Sequence, residues 1–186
     1  RFFKPDLPPF RLTSLDQRQR LFADAGASAM LVFEFNAGLA GTTAEDFVTN
    51  LLVDRFGAAG VVTGADFTFG KGAQGNIDLL REVGAVHGLK SAAVSPISDS
   101  DDVISSSRIR AALKDGHCEE ANRLLTSPFA IRGEVIHGDK NGRLLGYPTA
   151  NIDMGQYLRP KYGIYAVKGR LPDGRVLNGA ASLGVR

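Results

Sequence analysis

The chain has 186 residues, 44% of them hydrophobic, with 22 Lys and Arg against 20 Asp and Glu and a formal net charge of +2. That is enough for one large domain or two small ones with a proper core, and the balance excludes bulk charge as an argument for a nucleic-acid or membrane partner. A single cysteine, Cys118, excludes an internal disulfide framework and fits a reducing, cytoplasmic setting, and no apolar run approaches the roughly 18 residues of a membrane-spanning helix.

The chain opens RFFKPDLPPF, without Met, and closes NGAASLGVR in what reads as a strand. The expectation is a piece of a longer polypeptide. In SLDQRQRLFADAG, Ser14 stands three residues before Gln17, a capping-box spacing that predicts a helix stopping at Gly26. AMLVFEF, residues 29–35, is a short apolar run that predicts a buried strand. TTAEDFVTNLLVDRFG starts with Thr42 and Glu45 and continues with Phe47, Val48, Leu51, Leu52 and Phe56 at helical spacing. GVVTG predicts a second buried strand, NIDLLREVGAVHG a helix weakened at Gly84, and KSAAVSP a third strand ended by Pro96. Strands separated by helices of this length imply a parallel sheet.

The last third changes character. Two short helices, SSRIRAALKDG and HCEEANRLLT, lead into SPFAIRGEVIHG, and from there only strand and turn signals follow. GIYAVKGRLPDGRVLNGAASLG predicts two strands joined at Pro172, Asp173 and Gly174. The expected organisation is an α/β domain over residues 1–127, then an all-β, barrel-like domain over 128–186.

Three stretches could carry chemistry. GADFTFGKGAQGN directly follows the strand GVVT, where ligands of an open parallel sheet bind. In extended backbone Phe67 and Phe69 share one side. Beside Asp66 they could hold a flat, hydrogen-bonding ligand, or they are two core side chains around a turn. In VISSSRIRAAL, Ser105, Ser106 and Ser107 run into a helix whose N-terminus offers free N–H groups. Arg110 shares a helical face with Ser107 and Arg108 does not, so Arg110 is the favoured phosphate ligand and simple capping the alternative. GEVIHGDKNGRLLGYPTAN spaces glycines, Gly138 and Gly142 among them, around Lys140 and Arg143. Glycine lets backbone approach a phosphate. Thr149 and Asn151, two apart, offer a hydroxyl and an amide oxygen on one side of an extended segment, hard ligands suited to Mg²⁺; a tight hairpin with a polar turn is the other reading. His87, His117 and His137 show no metal-ligand spacing.

Together these stretches resemble one family, the bacterial bifunctional riboflavin kinase and FMN adenylyltransferase. GADFTFG is similar to its G-x-[DN]-F-x-F-G motif, ISSSRIR to its ISSTRIR motif, and GDKNGRLLGYPTANI to the signature of its kinase barrel. The opening FKPDLPPFRLTSLDQR and the late GIYAV and GAASLGVR also fit, so the resemblance spans the chain. It implies a nucleotidyltransferase α/β fold that transfers AMP from ATP to FMN, giving FAD and pyrophosphate, then a riboflavin kinase barrel that moves the γ-phosphate of ATP onto riboflavin. It implies that Asp66, Phe67 and Phe69 hold the flavin, and that Ser105, Ser106, Ser107 and Arg110 hold phosphates of the adenylyl donor. Gly138, Lys140, Gly142, Thr149 and Asn151 would hold the kinase's ATP, with Thr149 and Asn151 on Mg²⁺. The family has Thr where Ser107 stands, which keeps the hydroxyl. Its histidine-containing ATP loop and its catalytic glutamate have no counterpart here. No catalytic group is therefore identified, and these residues alone are expected to be inactive.

Two other readings compete: a flavin- or nucleotide-binding module without catalysis, and a single-activity nucleotidyltransferase whose barrel serves interaction. The Thr149–Asn151 pair argues against the latter, because an interaction barrel has no need of metal ligands. The arginines are not clustered with an aromatic surface, so small molecules rather than nucleic acid are the expected partners. Nothing in the sequence signals an oligomeric state.

Overall fold

A computed structural model describes residues 2, 4, 6–100, 102–125, 127–138, 146 and 149–184. The chain is mixed α/β and divides into two units, one of Arg1–Pro5 with Leu31–Ile104, the other of Asp6–Met30 with Ser105–Arg186.

The first unit is built on a parallel strand pair. β1 (Gly60–Gly64) lies beside β2 (Lys90–Val94) in the register Gly60↔Lys90 to Gly64↔Val94. Two helical stretches cover this pair. Thr43, not Thr42, is the cap: its hydroxyl accepts from Asp46 N–H at 3.0 Å and starts a one-turn helix, Ala44–Asp46, that runs on as a π-helical segment, Phe47–Arg55. The wider winding shows at its end, where Phe56 N–H reaches back five residues to the Leu51 carbonyl. Thr42 instead ends the short helix Ala37–Gly41, which Asn36 caps. A further helix, Ile77–Val86, joins β1 to β2, capped by the Asn76 side chain at Asp78 and Leu79 N–H. The expected weak point, Gly84, is a packing site: a Cβ there would lie 3.3 Å from the Leu89 side chain and carbonyl. Ala44, Val48, Phe69, Leu80 and Leu89 form the core. Leu80 is 1% exposed, and burying such a side chain contributes about 1.5–3 kcal/mol.

The strand expected over residues 29–35 is not formed. Leu31, Val32, Phe33 and Phe35 are exposed, and the segment pairs with no described residue. An apolar run supplies side chains to bury, but a strand exists only through a neighbour's N–H and C=O groups. The Phe33 ring meets Phe56 at 5.5 Å and the Phe35 ring meets Phe2 at 5.7 Å.

The second unit gathers α1 (Leu15–Asp24), α2 (Ser106–Asp115), α3 (Cys118–Leu124) and two antiparallel strand pairs. β3 (Val135–Ile136) pairs with β4 (Asn151–Ile152), and β5 (Gly163–Arg170) with β6 (Val176–Leu183) through the expected turn, where Gly174 sits at φ +89°. The capping box forms as the spacing predicts, with Ser14 accepting from Gln17 N–H and Gln17 accepting from Ser14 N–H. Gln17 does more than cap. Its Oε1 also accepts from the Tyr157 hydroxyl at 2.6 Å, and its Nε2 donates to the Ala130 carbonyl at 2.9 Å. Just upstream, Arg11 N–H donates to Gln156 and the Arg11 carbonyl accepts from Leu158 N–H, a parallel bridge around Tyr157.

Gln17→Ala removes the reciprocal cap and both long-range bonds, so a loss of about 1–3 kcal/mol is expected, read as a lower urea midpoint. Gln17→Glu keeps the acceptor and loses only the bond to Ala130, so its midpoint should fall between the two.

Candidate functional site

β1 ends at Gly64, and the loop after it turns at once: Phe67 N–H donates to the Gly64 carbonyl at 3.1 Å. The Asp66 carboxylate folds back over the strand end, where a Cβ on Gly64 would lie 2.8 Å from Asp66 Oδ1. Phe67 and Phe69 lie on one side and stack at 5.6 Å, 20° between planes. They divide the two roles that the spacing left open. Phe69 is 6% exposed, packs on Phe47 at 5.1 Å and belongs to the core; Phe67 is 38% exposed.

Glycine makes this possible by absence of a side chain. Phe69 and Gly75 exchange backbone hydrogen bonds of 3.1 and 2.8 Å, and the Phe69 ring lies across the Gly75 Cα, where a Cβ would come within 2.6 Å of the ring. Gly70, at φ +75°, brings its backbone onto Ala44. Beside Phe67 opens an almost wholly apolar cavity of about 350 Å³, lined also by Phe47, Leu52, Val61, Thr63 and Leu80. The Thr63 hydroxyl is buried and has no hydrogen-bond partner among the described residues. Sequence reasoning passed over Thr63; a hydroxyl inside the apolar strand GVVTG was the available signal.

In the second unit Ser105 caps α2, accepting from Arg108 N–H at 3.2 Å. Ser106 and Ser107 are exposed on the first turn. The two arginines diverge. Arg108 donates to Glu120 at 2.7 Å. Arg110 donates from Nε to the Phe10 carbonyl at 2.9 Å and lays its guanidinium 5.5 Å from the Phe10 ring centre. Arg123 also holds Glu120, through two bonds of 2.8 and 2.9 Å. Those bonds lower the Glu120 carboxyl below its ordinary value; partial desolvation opposes them and Arg108 adds to them. The link is therefore present above the unfolded glutamate value and weakens as pH falls through the lower, folded one.

Of the third group, Lys140 and Gly142 lie outside the described residues, as does Arg143. Gly138 and Asn151 come together: the Asn151 amide sits over the Gly138 backbone, where a Cβ would collide with it. Thr149 is exposed and Asn151 partly buried at the start of β4. No hydrogen bond among the described residues joins this group to the serines or Arg110, and no group of three His, Cys, Asp or Glu among them could hold a metal. Mg²⁺ carried by nucleotide phosphates needs few protein ligands. A hydroxyl and an amide oxygen two residues apart fit that demand.

A loop at the carboxyl end of a parallel strand, a serine-rich helix start with an adjoining arginine, and antiparallel strand pairs together make a mixed α/β protein with an added set of antiparallel strands. A family model described as FAD synthetase matches residues 1–108, and one described as riboflavin kinase matches residues 125–186. The chain belongs to the FAD synthetase family, with the nucleotidyltransferase α/β fold followed by the start of a riboflavin kinase barrel. It is 36% identical over 184 residues to the bifunctional riboflavin kinase/FMN adenylyltransferase of Escherichia coli (strain K12), covering 99% of this chain and 59% of that protein. Proteins of the same description from Listeria monocytogenes serovar 1/2a and Bacillus subtilis (strain 168) are 39% and 35% identical, over 93% and 96% of this chain and 54% and 56% of theirs. The chain thus spans rather more than half the length of these relatives. A solved structure described as a macrolide-efflux protein from Streptococcus pneumoniae superposes with a TM-score of 0.82 at 30% identity, covering 94% of this chain and 56% of the other. Among the described residues, no helix here is long and apolar enough to cross a membrane.

Gly75→Ala forces the buried Phe69 ring to move, and overpacking of this kind costs about 1–3 kcal/mol. A lower urea midpoint with a changed near-ultraviolet aromatic signal is the expected result; an unchanged pair of readings would show that the ring has room to yield.

Proposed function

We propose that this chain is part of an enzyme of FAD synthesis that phosphorylates riboflavin to FMN with ATP and then adenylylates FMN. The observation that carries the reading is the order of the two family matches on one polypeptide, the first covering Asp66, Phe67, Phe69 and Ser105 to Ser107 and ending just before Arg110, the second covering Gly138 to Asn151. In this reading the adenylyltransferase domain is residues 1–127 and the kinase domain 128–186.

In adenylyl transfer, a phosphate oxygen of FMN attacks the α-phosphorus of ATP and the bond to the β-phosphate breaks, releasing pyrophosphate. Asp66, Phe67 and Phe69 serve the flavin: Phe67 offers a ring face and Phe69 supports it. Ser105, Ser106, Ser107 and Arg110 serve the donor's phosphates. The partly exposed guanidinium stands three residues from the exposed Ser107, and charged forks of this kind bind phosphate strongly. In the kinase, the riboflavin hydroxyl attacks the γ-phosphorus and ADP leaves. Gly138, Lys140 and Gly142 line the ATP, and Thr149 and Asn151 would hold Mg²⁺, which neutralises phosphate charge. Positioning and charge neutralisation dominate both reactions. The partners are then small molecules rather than nucleic acid or membrane, in the cytoplasm, where an unpaired cysteine is stable.

The two phosphate groups should be separable in the full-length gene product. A lost charged hydrogen bond costs about 1.5–3 kcal/mol, roughly one to two decades in rate. Arg110→Ala should depress FAD formation from FMN by that much and leave FMN formation from riboflavin nearly intact; Asn151→Ala should do the reverse. Flavins separated by chromatography after incubation with Mg-ATP give both rates, and parallel losses in both variants would refute the two-site reading. Asp66→Ala should raise the KM for FMN in adenylyl transfer and spare that for ATP; equal loss for ATP would remove Asp66 from the flavin site.

A further inference from the structure

We propose that Phe10 is the positioning residue of Arg110, setting the direction in which that arginine presents its charge. The proposal rests on the reading of Arg110 as a ligand of the adenylyl donor's phosphates, and it adds to that site a residue 100 positions earlier in the chain.

Two contacts from one residue fix different features of the guanidinium. The Phe10 carbonyl takes the Nε–H at 2.9 Å, and the Phe10 ring lies 5.5 Å from the guanidinium carbon. A guanidinium is a planar fork of five donors. With Nε engaged and one face set against a ring, the two terminal amino groups remain, and no hydrogen bond from them to a described residue is made. That pair is the edge that grips phosphate bidentately. The same side of α2 carries Ser106 and Ser107, four and three residues earlier and exposed.

Phe10 is itself held. Pro8 and Pro9 precede it and restrict the backbone leading into it. One residue later Arg11 is bonded on both sides, its N–H to Gln156 at 3.1 Å and its carbonyl to the N–H of Leu158, which is 1% exposed, at 2.9 Å. The Phe10 carbonyl therefore sits on backbone tied down next door. Arg108, two residues from Arg110 on the same helix, has no such arrangement; its charge meets Glu120. Of the two arginines in this helix start, Arg110 pairs a neutral holder with terminal amino groups that bond to no described residue, whereas Arg108 is paired with a carboxylate.

The test uses the full-length gene product and measures FMN adenylylation at varied Mg-ATP. Phe10→Leu keeps apolar bulk and the backbone carbonyl but removes the π face; Phe10→Tyr keeps the face. Phe10→Leu should raise the KM for ATP roughly two- to fivefold, the scale of an exposed cation–π contact, with a smaller change in kcat and none in the KM for FMN. Phe10→Tyr should restore the wild-type value. In an Arg110→Ala background, Phe10→Leu should add nothing. An unchanged KM in Phe10→Leu, a Phe10→Tyr protein no better than Phe10→Leu, or a full additional loss in the Arg110→Ala background each overturns the positioning role while Arg110 keeps its own. If Arg110→Ala leaves the KM for ATP unchanged, the phosphate assignment fails and the proposal with it. Circular dichroism of each variant separates these outcomes from a loss of fold.

Discussion

The second unit depends on one short edge of backbone, residues 10–17. Within eight residues the chain makes a cation holder at Phe10, a parallel bridge at Arg11 and a helix cap at Ser14 and Gln17. Each engages a part of the chain at least 100 residues away, except for the cap itself. Closing loops of that length has an entropic cost that grows only slowly with length, so a few well-made hydrogen bonds offset it once the flanking helices are in place. Gln17 is the most economical of them. One side-chain amide accepts from Ser14 and Tyr157 and donates to Ala130, using both lone pairs and a proton of the amide. The helical start of the unit is thereby registered against its β segments by the same group that caps the helix.

The local half of that arrangement is legible in the sequence and the distant half is not. Ser14 and Gln17 are three apart, and that spacing alone predicts the cap. Nothing in it predicts that Tyr157, 140 residues on, will share the same oxygen. The same division runs through the first unit. The helix capped by Asn76 and the positions of the strands at GVVTG and KSAAV follow from apolar spacing and turn residues, because those signals act within a few positions; the expected burial of GVVTG does not follow, since Val62 is 69% exposed. Residues 29–35 carry an equally clear apolar run and yet make no strand, since pairing is a property of two segments and periodicity describes one. Thr42 and Thr43 show the limit of resolution: adjacent hydroxyls are both plausible caps, and the choice fell to the one whose neighbours continue as a helix while the other closes the preceding turn.

For the candidate site, the residue types were legible and their division of labour was not. Phe67 and Phe69 were foreseen as sharing a side, and they stack. That one ring would sink to 6% exposure and the other stay half open depends on Gly75, whose missing side chain admits the Phe69 ring. The glycines around this loop act chiefly through close approach; a spacing rule that counts them as phosphate contacts would miss why these particular positions are small. The Thr63 hydroxyl was equally hidden, because a threonine in a valine-rich strand looks like β propensity and its lack of a partner is a fact about the cavity.

Charge compensation is the step that joins fold to chemistry. A chain with a net charge of only +2 has little bulk field with which to attract an anion; the proposed phosphate site has to rely on individual cations left uncommitted. Carboxylates already engage Arg81, Arg108, Arg123 and Arg175. Such a pair meets an incoming phosphate as a dipole, and separating it costs what the pair had gained. A carbonyl and an aromatic ring orient a guanidinium without cancelling its charge, because neither carries a compensating negative one. Of the two arginines in SSSRIR, Arg108 is engaged in the first way and Arg110 in the second. Helical phase separates them in sequence, but their different partners decide which one retains a charge for an anionic ligand. Those partners lie twelve residues away on α3 for the one and a hundred away at Phe10 for the other.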